Sequence, residues 1–300
     1  MLDADHAIGA RVIAALRSSD WAVPIASRSS QLSSESLRGV DGIVNCAGGT
    51  AASILACARA VFPLLRRATS DVRIVQLSSI TLYGSANREV NESSESSADL
   101  GAYAAAHIEA ERLASHYPPS VILRLGCEYG PACLQWSERV AGWLIARRVG
   151  NLGAAGEGRC NLLYVDDLAA AVIGALTLPH VGGQVFNLAM SSPPTWNEYF
   201  EGYARVLGAA PVARIGRHRL TLESKLMAPP LKALEIIARR LHLAQSPAPL
   251  PIPPSVIKLC RQQLRLDVGK AEAALGMQWT ALEQGLRNAA AAFQSSRHFA

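Results

Sequence analysis

Nothing in this sequence marks a metal centre. The six cysteines, Cys46, Cys57, Cys127, Cys133, Cys160 and Cys260, are scattered, no C-x-x-C pair occurs, and no His/Cys cluster has ligand spacing. The same scatter offers no disulfide framework and suits a reducing compartment, so a cytoplasmic protein is expected. No run approaches the roughly 18 uncharged apolar residues a spanning helix needs. The opening MLDADHA has neither a basic region nor an apolar stretch, so no secretory leader is expected. Polybasic blocks and interleaved aromatics are also missing. The net charge of +5 comes from dispersed arginines. It reads as solubility with some attraction for phosphate-bearing ligands, not as a nucleic-acid surface. No internal repeat is visible.

What is present is ordinary for a globular protein. Half of the 300 residues are hydrophobic and 18% are charged, which excludes disorder. A chain of this length buries roughly three-quarters of its unfolded surface, enough for one large or two modest domains.

The stretch from Val72 to His116 organises the rest. Val72 to Leu77 alternates and is β-branched, which predicts a strand ending at Ser78-Ser79. An acidic, serine-rich loop follows. Residues 102–116 then carry Ala, Ile, Glu, Arg and Leu at helical spacing. Tyr103 and His107, four apart, share one face of that helix. A hydroxyl pair at a strand end, facing a phenol on the next helix, is suited to proton transfer.

These residues carry a resemblance. Ser78, Ser79, Tyr83 and Gly84, followed by Tyr103, are similar to the S-S-x-x-x-Y-G and Y-x-x-x-K signature of the extended short-chain dehydrogenase/reductases, the NAD-dependent epimerase/dehydratase group. One position departs: the lysine is His107. The resemblance implies an α/β fold, a Rossmann-like doubly wound parallel sheet, with a smaller C-terminal substrate-binding lobe. The expected division is 1–125 with 160–189 returning to it, against 126–159 and 190–300.

The nucleotide-binding end departs further. Residues 7–18 predict a helix, with Ile8 and Gly9 at its start. Laid against the family's strand and G-x-x-G-x-x-G loop, Gly9 takes the third glycine, while Asp3 and His6 stand at the first two. The first glycine allows the tight turn and the second lets backbone approach the pyrophosphate. Met1 and Leu2 are too short for an ordinary strand, so the first strand is expected to be truncated or missing. Residues 21–26 predict the second strand, followed by Arg28. An arginine there suits the 2′-phosphate of NADP, whereas NAD wants a carboxylate; a solvated surface arginine is the alternative. Residues 31–40 offer only a short connection, with Ser33 as an N-cap and Leu37 as an anchor.

Further matches run along the chain. Asp41 to Cys46 predicts a strand, and with Ala47 and Gly48 it is similar to D-x-V-x-x-x-A-G. Residues 51–67 predict a long helix that Pro63 should kink or end. With helix 102–116 it implies a homodimer by analogy. Val121 to Arg124 is a strand, and Arg124, Gly126, Tyr129, Gly130 and Pro131 are similar to R-x-G-x-x-Y-G-P. Cys127 stands where sugar epimerases often place a substrate-touching asparagine. Residues 134–149 predict a helix with Trp136, Val140, Trp143 and Leu144 on one side. The stretch from Asn161 is similar to N-x-x-x-V-D-D-x-A. Asp166 and Asp167 read as a helix N-terminus capping its amides, and Arg159 and Asn161 are candidates to face substrate. Gly183 and Asn187 fit the next strand. Thr195 caps a helix from Trp196 to Leu207. Residues 229–243 predict a helix with a basic face, and 265–276 and 282–293 resemble the family's closing segments.

The resemblance implies an NAD- or NADP-dependent oxidoreductase, an epimerase, dehydratase or reductase acting on a hydroxyl or keto carbon, with a nucleotide sugar as one substrate class. The implied catalytic residues are Ser79, Tyr103 and His107. The implied cofactor contacts are Ile8, Gly9, Arg28, Ala47, Gly48, Ser78, Tyr103, His107 and Gly126; the substrate contacts are Cys127, Arg159 and Asn161. A tyrosine has a pKa near 10, and a lysine charge about 5 Å away stabilises its phenolate by on the order of 3 kcal/mol at an effective dielectric of about 20. His107 does this only when protonated. The alternative is therefore a catalytically degenerate member of the fold, a binding or scaffold protein with weak or lost cofactor binding.

Overall fold

The structure, a computed structural model, describes residues 1–4, 7–23, 33, 35–67, 72–216, 219 and 252–298. The chain divides into two compact units. The first holds residues 1–128, 162–191 and 266–280; the second holds 129–161, 192–265 and 281–300.

In chain order the first elements are α1 (Ala7–Ser18), β1 (Gly42–Asn45), α2 (Ala51–Arg67), β2 (Arg73–Ser79), β3 (Glu89–Val90), α3 (Ala102–Ser115), β4 (Ser120–Leu125) and β5 (Cys127–Tyr129). Then come α4 (Arg139–Ile145), β6 (Leu162–Tyr164), α5 (Val165–Thr177), β7 (Val185–Leu188) and α6 (Trp196–Val206). The chain closes with α7 (Pro254–Arg261), β8 (Arg265–Leu266), α8 (Gly269–Leu275) and α9 (Leu282–His298).

The first unit is built on a parallel sheet in the order β1-β2-β4-β7. Successive residues of each strand point to opposite faces, so two cores form. Ile43, Ile74 and Ile122 pack with Ile54, Val61 and Phe62 of α2 and Ala106 and Ala110 of α3. Their neighbours Val44, Val75, Val121 and Leu123 pack on the other face with Val12 and Leu16 of α1 and Leu168 and Val172 of α5. This is the doubly wound α/β arrangement. Burying each such side chain contributes about 1.5–3 kcal/mol, and two full faces explain why the strands read as nearly continuous apolar runs.

The first strand survives as one residue. Leu2 bridges Asn45 in parallel, donating its N–H to Val44 O at 2.9 Å and accepting from Cys46 N at 3.0 Å. Residues 24–32, which contain half of the expected second strand and Arg28, lie outside the described residues, as does the helix expected at 229–243.

The second unit has an aromatic core. Trp136, Trp196, Tyr199, Phe200 and Tyr203 are buried, with Trp136 and Trp196 ring centroids 4.9 Å apart. Thr195 caps α6 in a reciprocal box: its hydroxyl accepts from Glu198 N, and Glu198 accepts from Thr195 N.

Pro63 lies inside α2, which continues past it to Arg67; the buried stripe of Ile54, Cys57, Ala58, Val61, Phe62 and Leu65 outweighs one lost backbone bond. Two expectations are corrected. The helix expected at 134–149 is a π-helical turn, Leu134–Glu138, followed by the short α4; Trp136, Val140, Trp143 and Leu144 are buried as expected. Asp166 and Asp167 occupy the first turn of α5 but cap no amide there. Asp166 pairs with Arg11 of α1, and Asp167 accepts from Thr280 N at 2.9 Å and Thr280 Oγ1 at 2.6 Å. Their role is tertiary tethering. Among the described residues no helix is long and apolar enough to cross a membrane.

Candidate active site

The site lies in the first unit, at the carboxyl ends of the sheet strands. Ser79 is the last residue of β2 and pairs with Leu125, the last of β4. Its hydroxyl oxygen accepts from Thr81 N at 3.2 Å and Thr81 Oγ1 at 3.1 Å, capping the tight turn Ile80–Tyr83. Both contacts use the oxygen as acceptor, so the Ser79 hydrogen remains available to a ligand.

The next helix, α3, packs on β2, β4 and that turn. Tyr103 stands in its first turn and keeps 38% of its surface exposed. A phenol committed to the core would not. One turn on, His107 is 3% exposed, and its ring meets the Tyr103 ring edge-on with centroids 4.7 Å apart. Neither His107 nitrogen has a hydrogen-bond partner. Burial alone depresses this imidazole to about 4, so it is neutral at pH 7. The Tyr103 phenol moves the opposite way from an activated base. Burial, and then the charge of Glu128, push it up to about 12. Glu128 is itself raised to about 7 by burial.

A second polar cluster fixes α3 to the sheet. Ser78, Arg124 and Asn187 are lateral neighbours on β2, β4 and β7. Ser78 donates to Glu111 of α3 at 2.6 Å. Arg124 grips the same carboxylate through Nη2 at 2.7 Å and Nε at 3.1 Å, and donates through Nη1 to the Tyr83 hydroxyl at 2.8 Å and Glu92 O at 3.0 Å. Tyr83 Oη lies 2.7 Å from Asn187 Oδ1. Asn187 in turn donates N–H to Glu92 Oε1 at 2.8 Å and Nδ2–H to Asp267 O at 3.2 Å. Burial works against the Arg124 charge, but Glu111 outweighs it and holds the guanidinium above its ordinary range. Burial raises the Tyr83 phenol.

The residues singled out in the sequence therefore fall into distinct places. Tyr103 and His107 are in contact, and Ser79 ends the strand on which α3 packs. Ser78 faces inward to Glu111. Gly126 follows β4 directly and donates to Leu188 O at 2.9 Å; Cys127 beside it is buried. Ile8 and Gly9 begin α1, where a Cβ on Gly9 would overlap the Ala4 backbone. Asp3, at the first glycine position, adopts φ +46, the left-handed turn a glycine would supply. The Cys57 thiol donates to Asn45 Oδ1 at 3.1 Å. Ala47 and Gly48 follow β1, and a side chain at Gly48 would meet only Cys46 O at 3.7 Å. In the second unit, Asn161 donates to Leu264 O at 2.8 Å and Arg159 is exposed. Among the described residues no group of side chains is arranged to hold a metal.

Two residues escaped the sequence reading. Glu111 continues the i, i+4 face from Tyr103 and His107, a signal present but not followed. Glu128 occupies an unassigned position between Gly126 and Tyr129.

Solved structures share this fold. MoeE5, in complex with UDP-glucose and NAD, aligns with a TM-score of 0.72 at 18% identity over 99% of this chain and 98% of its own. TunA, an NAD-dependent NDP-hexosamine 5,6-dehydratase of tunicamycin biosynthesis, aligns at 0.72 and 18% over 98% and 96%. The human epimerase family protein SDR39U1, with NADPH, aligns at 0.69 and 18% over 97% and 98%. No curated protein sequence matches the chain. The NAD dependent epimerase/dehydratase family model matches residues 37–189, half of the sequence, and so the chain belongs to that family.

Proposed function

We propose that the protein is an NAD(P)-dependent oxidoreductase of the epimerase/dehydratase type, acting on a hydroxyl or keto carbon of a nucleotide sugar. The observation that carries this reading is the half-exposed Tyr103 phenol held against an unpartnered, buried His107 beside the Ser79 strand end. Similar folds solved with UDP-glucose, UDP-glucuronic acid and NAD support the substrate and cofactor classes.

The residues present fit a nicotinamide dinucleotide. His107 has two ring nitrogens buried without a partner, one of which would bond a ribose hydroxyl. Gly48 and Gly49 leave open space after β1, and Gly49 has φ +75. Gly9 permits the close approach of α1 to the Ala4 backbone. Ile8, Ala47, Ser78 and Gly126 complete the proposed lining. NAD and NADP both suit this frame, with Arg28 the sequence argument for NADP. When bound, the cofactor supplies the hydride acceptor.

The chain's own groups handle the proton. Ser79 offers its hydroxyl hydrogen to the reacting oxygen. Tyr103 donates to or receives from that oxygen, and its ring is held by α3 through the Glu111 anchor. Cys127, Arg159 and Asn161 are the proposed substrate contacts. The protein works as a cytoplasmic homodimer through the outer faces of α2 and α3, and all six cysteines are buried thiols outside any disulfide.

A second reading has its own support. With His107 neutral and Tyr103 raised to about 12, no cation among the described residues activates the phenol, which favours a ligand-binding protein with little or no turnover. Nicotinamide fluorescence during NADH and NADPH titration separates the two. Binding, with turnover of a UDP-sugar that Tyr103→Phe abolishes, is expected; no binding of either cofactor at millimolar concentration refutes the oxidoreductase.

A further inference from the structure

The amino ends of the sheet strands carry a second polar cluster. Asp41 precedes β1, Arg73 opens β2, Pro118 and Pro119 precede β4, and His180 and Gly182 lie between α5 and β7. With Leu176 and Pro179 they line an open cavity of about 440 Å³, room for a small organic molecule. β2 runs from Arg73 to Ser79, roughly 20 Å at the usual rise per residue. The cavity and the candidate active site therefore lie at opposite ends of one strand.

Arg73 is half-buried. Its Nη1 group donates to Ala175 O at 3.1 Å and Leu178 O at 3.0 Å, where α5 ends. Those two bonds use both hydrogens on Nη1 and account for Arg73 as a cap of α5. They do not account for Nε and Nη2, which no acidic side chain among the described residues pairs with. Nε and Nη2 form the edge of a guanidinium that grips two oxygens of one carboxylate or phosphate. Arg124 uses that edge on Glu111, with Nε at 3.1 Å and Nη2 at 2.7 Å. A Cβ on Gly182 would lie 3.8 Å from Arg73 Nη2 and 4.0 Å from Cζ, so glycine leaves the guanidinium uncovered. The φ of Gly182 is −57, which any residue adopts, so the backbone does not require glycine there. Gly42 pairs with Arg73 in register, which sets Asp41 one residue away. Among the described residues, neither the Asp41 nor the His180 side chain makes a hydrogen bond or ion pair.

We propose that this cavity binds a small organic anion, a carboxylate or phosphate monoester, that also carries a hydroxyl or ammonium group. Arg73 takes the anionic group through Nε and Nη2, and a His180 ring N–H donates beside it. Asp41 accepts from the hydroxyl or ammonium. The Pro118, Pro119 and Pro179 rings and the Leu176 side chain carry the carbon body. Much of the wall is formed in advance. Its three prolines have fixed φ, Gly183 N donates to Ser120 O at 2.7 Å, and Tyr117 Oη donates to Val72 O at 2.8 Å. A preformed wall loses little entropy on binding. Asp41 repels an anion that offers it no donor, so the cavity discriminates against simple anions.

Isothermal titration of the intact protein tests this. D-glycerate is the carboxylate probe and glycerol 3-phosphate the phosphate probe, against acetate and sulfate at matched ionic strength. Saturable binding of at least one of the two probes is expected at millimolar concentration, about tenfold tighter than acetate or sulfate. Whichever probe binds identifies the anionic group. Gly182→Leu covers the guanidinium and keeps its bonds to α5; it should weaken binding about tenfold with Tm unchanged. Arg73→Lys keeps the charge, loses the gripping edge and should weaken binding as much. Asp41→Ala should erase the preference over acetate and sulfate. Failure of both probes to bind at millimolar concentration overturns the proposal. So does binding no tighter than that of acetate and sulfate, or binding that Gly182→Leu leaves intact, a result readable even if Arg73→Lys does not fold. None of these readouts involves NADH, NADPH or Tyr103, so the oxidoreductase reading stands or falls separately.

Discussion

Replacing His107 by leucine gives the sharpest view of what the site costs the fold. The imidazole is 3% exposed and both nitrogens lack partners. Burial lowers it from its ordinary 6.5 to about 4. Below pH 6.5 the unfolded chain takes up a proton that the folded protein refuses, so folding stability falls as pH falls through this window. A tenfold change in proton affinity is worth about 1.4 kcal/mol, which makes the full loss about 3 kcal/mol between pH 6.5 and 4. Carboxylates titrate in the same range, so the informative quantity is a difference. Urea unfolding of the unmodified protein and of His107→Leu, measured from pH 7.5 to 4, should give a gap that widens in the variant's favour on acidification. At pH 7 the variant should be no less stable, because leucine removes two unsatisfied buried atoms that cost about 1–3 kcal/mol each. A gap that stays constant across the window would refute the argument. It would mean that His107 reaches solvent or a partner and that the site is not dry.

Two further predictions concern the scaffold. Arg124→Met leaves Glu111 charged and buried, and should cost about 3–5 kcal/mol in chemical unfolding; Arg124→Met with Glu111→Leu should recover most of that, and a double variant no better than the single would show that the pair is solvated. Gly9→Val forces a side chain into the Ala4 backbone and should destabilise by about 1–3 kcal/mol, read as a lowered Tm; an unchanged Tm would mean that α1 does not sit this close.

How much of this was legible depends on which force placed each residue. The sheet was legible because two buried faces demand continuous apolar runs, and VRIVQL and VILR announce themselves. Thr195 was legible because an N-cap is a local signal. The placement of Ser79 at a strand end and of Tyr103 against His107 on the next helix was legible because strand end, loop and helix follow directly in the chain. Glu111 was not, since its partners Ser78 and Arg124 lie 33 and 13 residues away and only the strand register brings them together. The tethers of Asp166 and Asp167 failed for the same reason: a first-turn carboxylate predicts a cap, and only tertiary packing supplies Arg11 and Thr280 instead. That the helix runs on past Pro63 was not legible, because propensity is weaker than a buried helical stripe. The π-helical turn at Leu134–Glu138 gives no periodic signal distinct from a helix.

The contrast between the two polar clusters bears most directly on function. Ser78, Glu111, Arg124, Tyr83 and Asn187 are buried and partnered at close range across three strands and a helix. Such a network fixes α3 in one place. His107, one helical turn before Glu111, is the reverse. Among the described residues of the first unit it alone carries buried side-chain nitrogens with no partner at all. A buried polar group without a partner is a cost that calls for an explanation, and leucine at this position would avoid it. The fold satisfies its polar groups where they hold α3, and leaves them unsatisfied one turn away, beside a half-exposed phenol. Anchorage and unmet hydrogen bonding share one helix face: Glu111 ties α3 to the sheet, and one turn before it His107 is left without a partner.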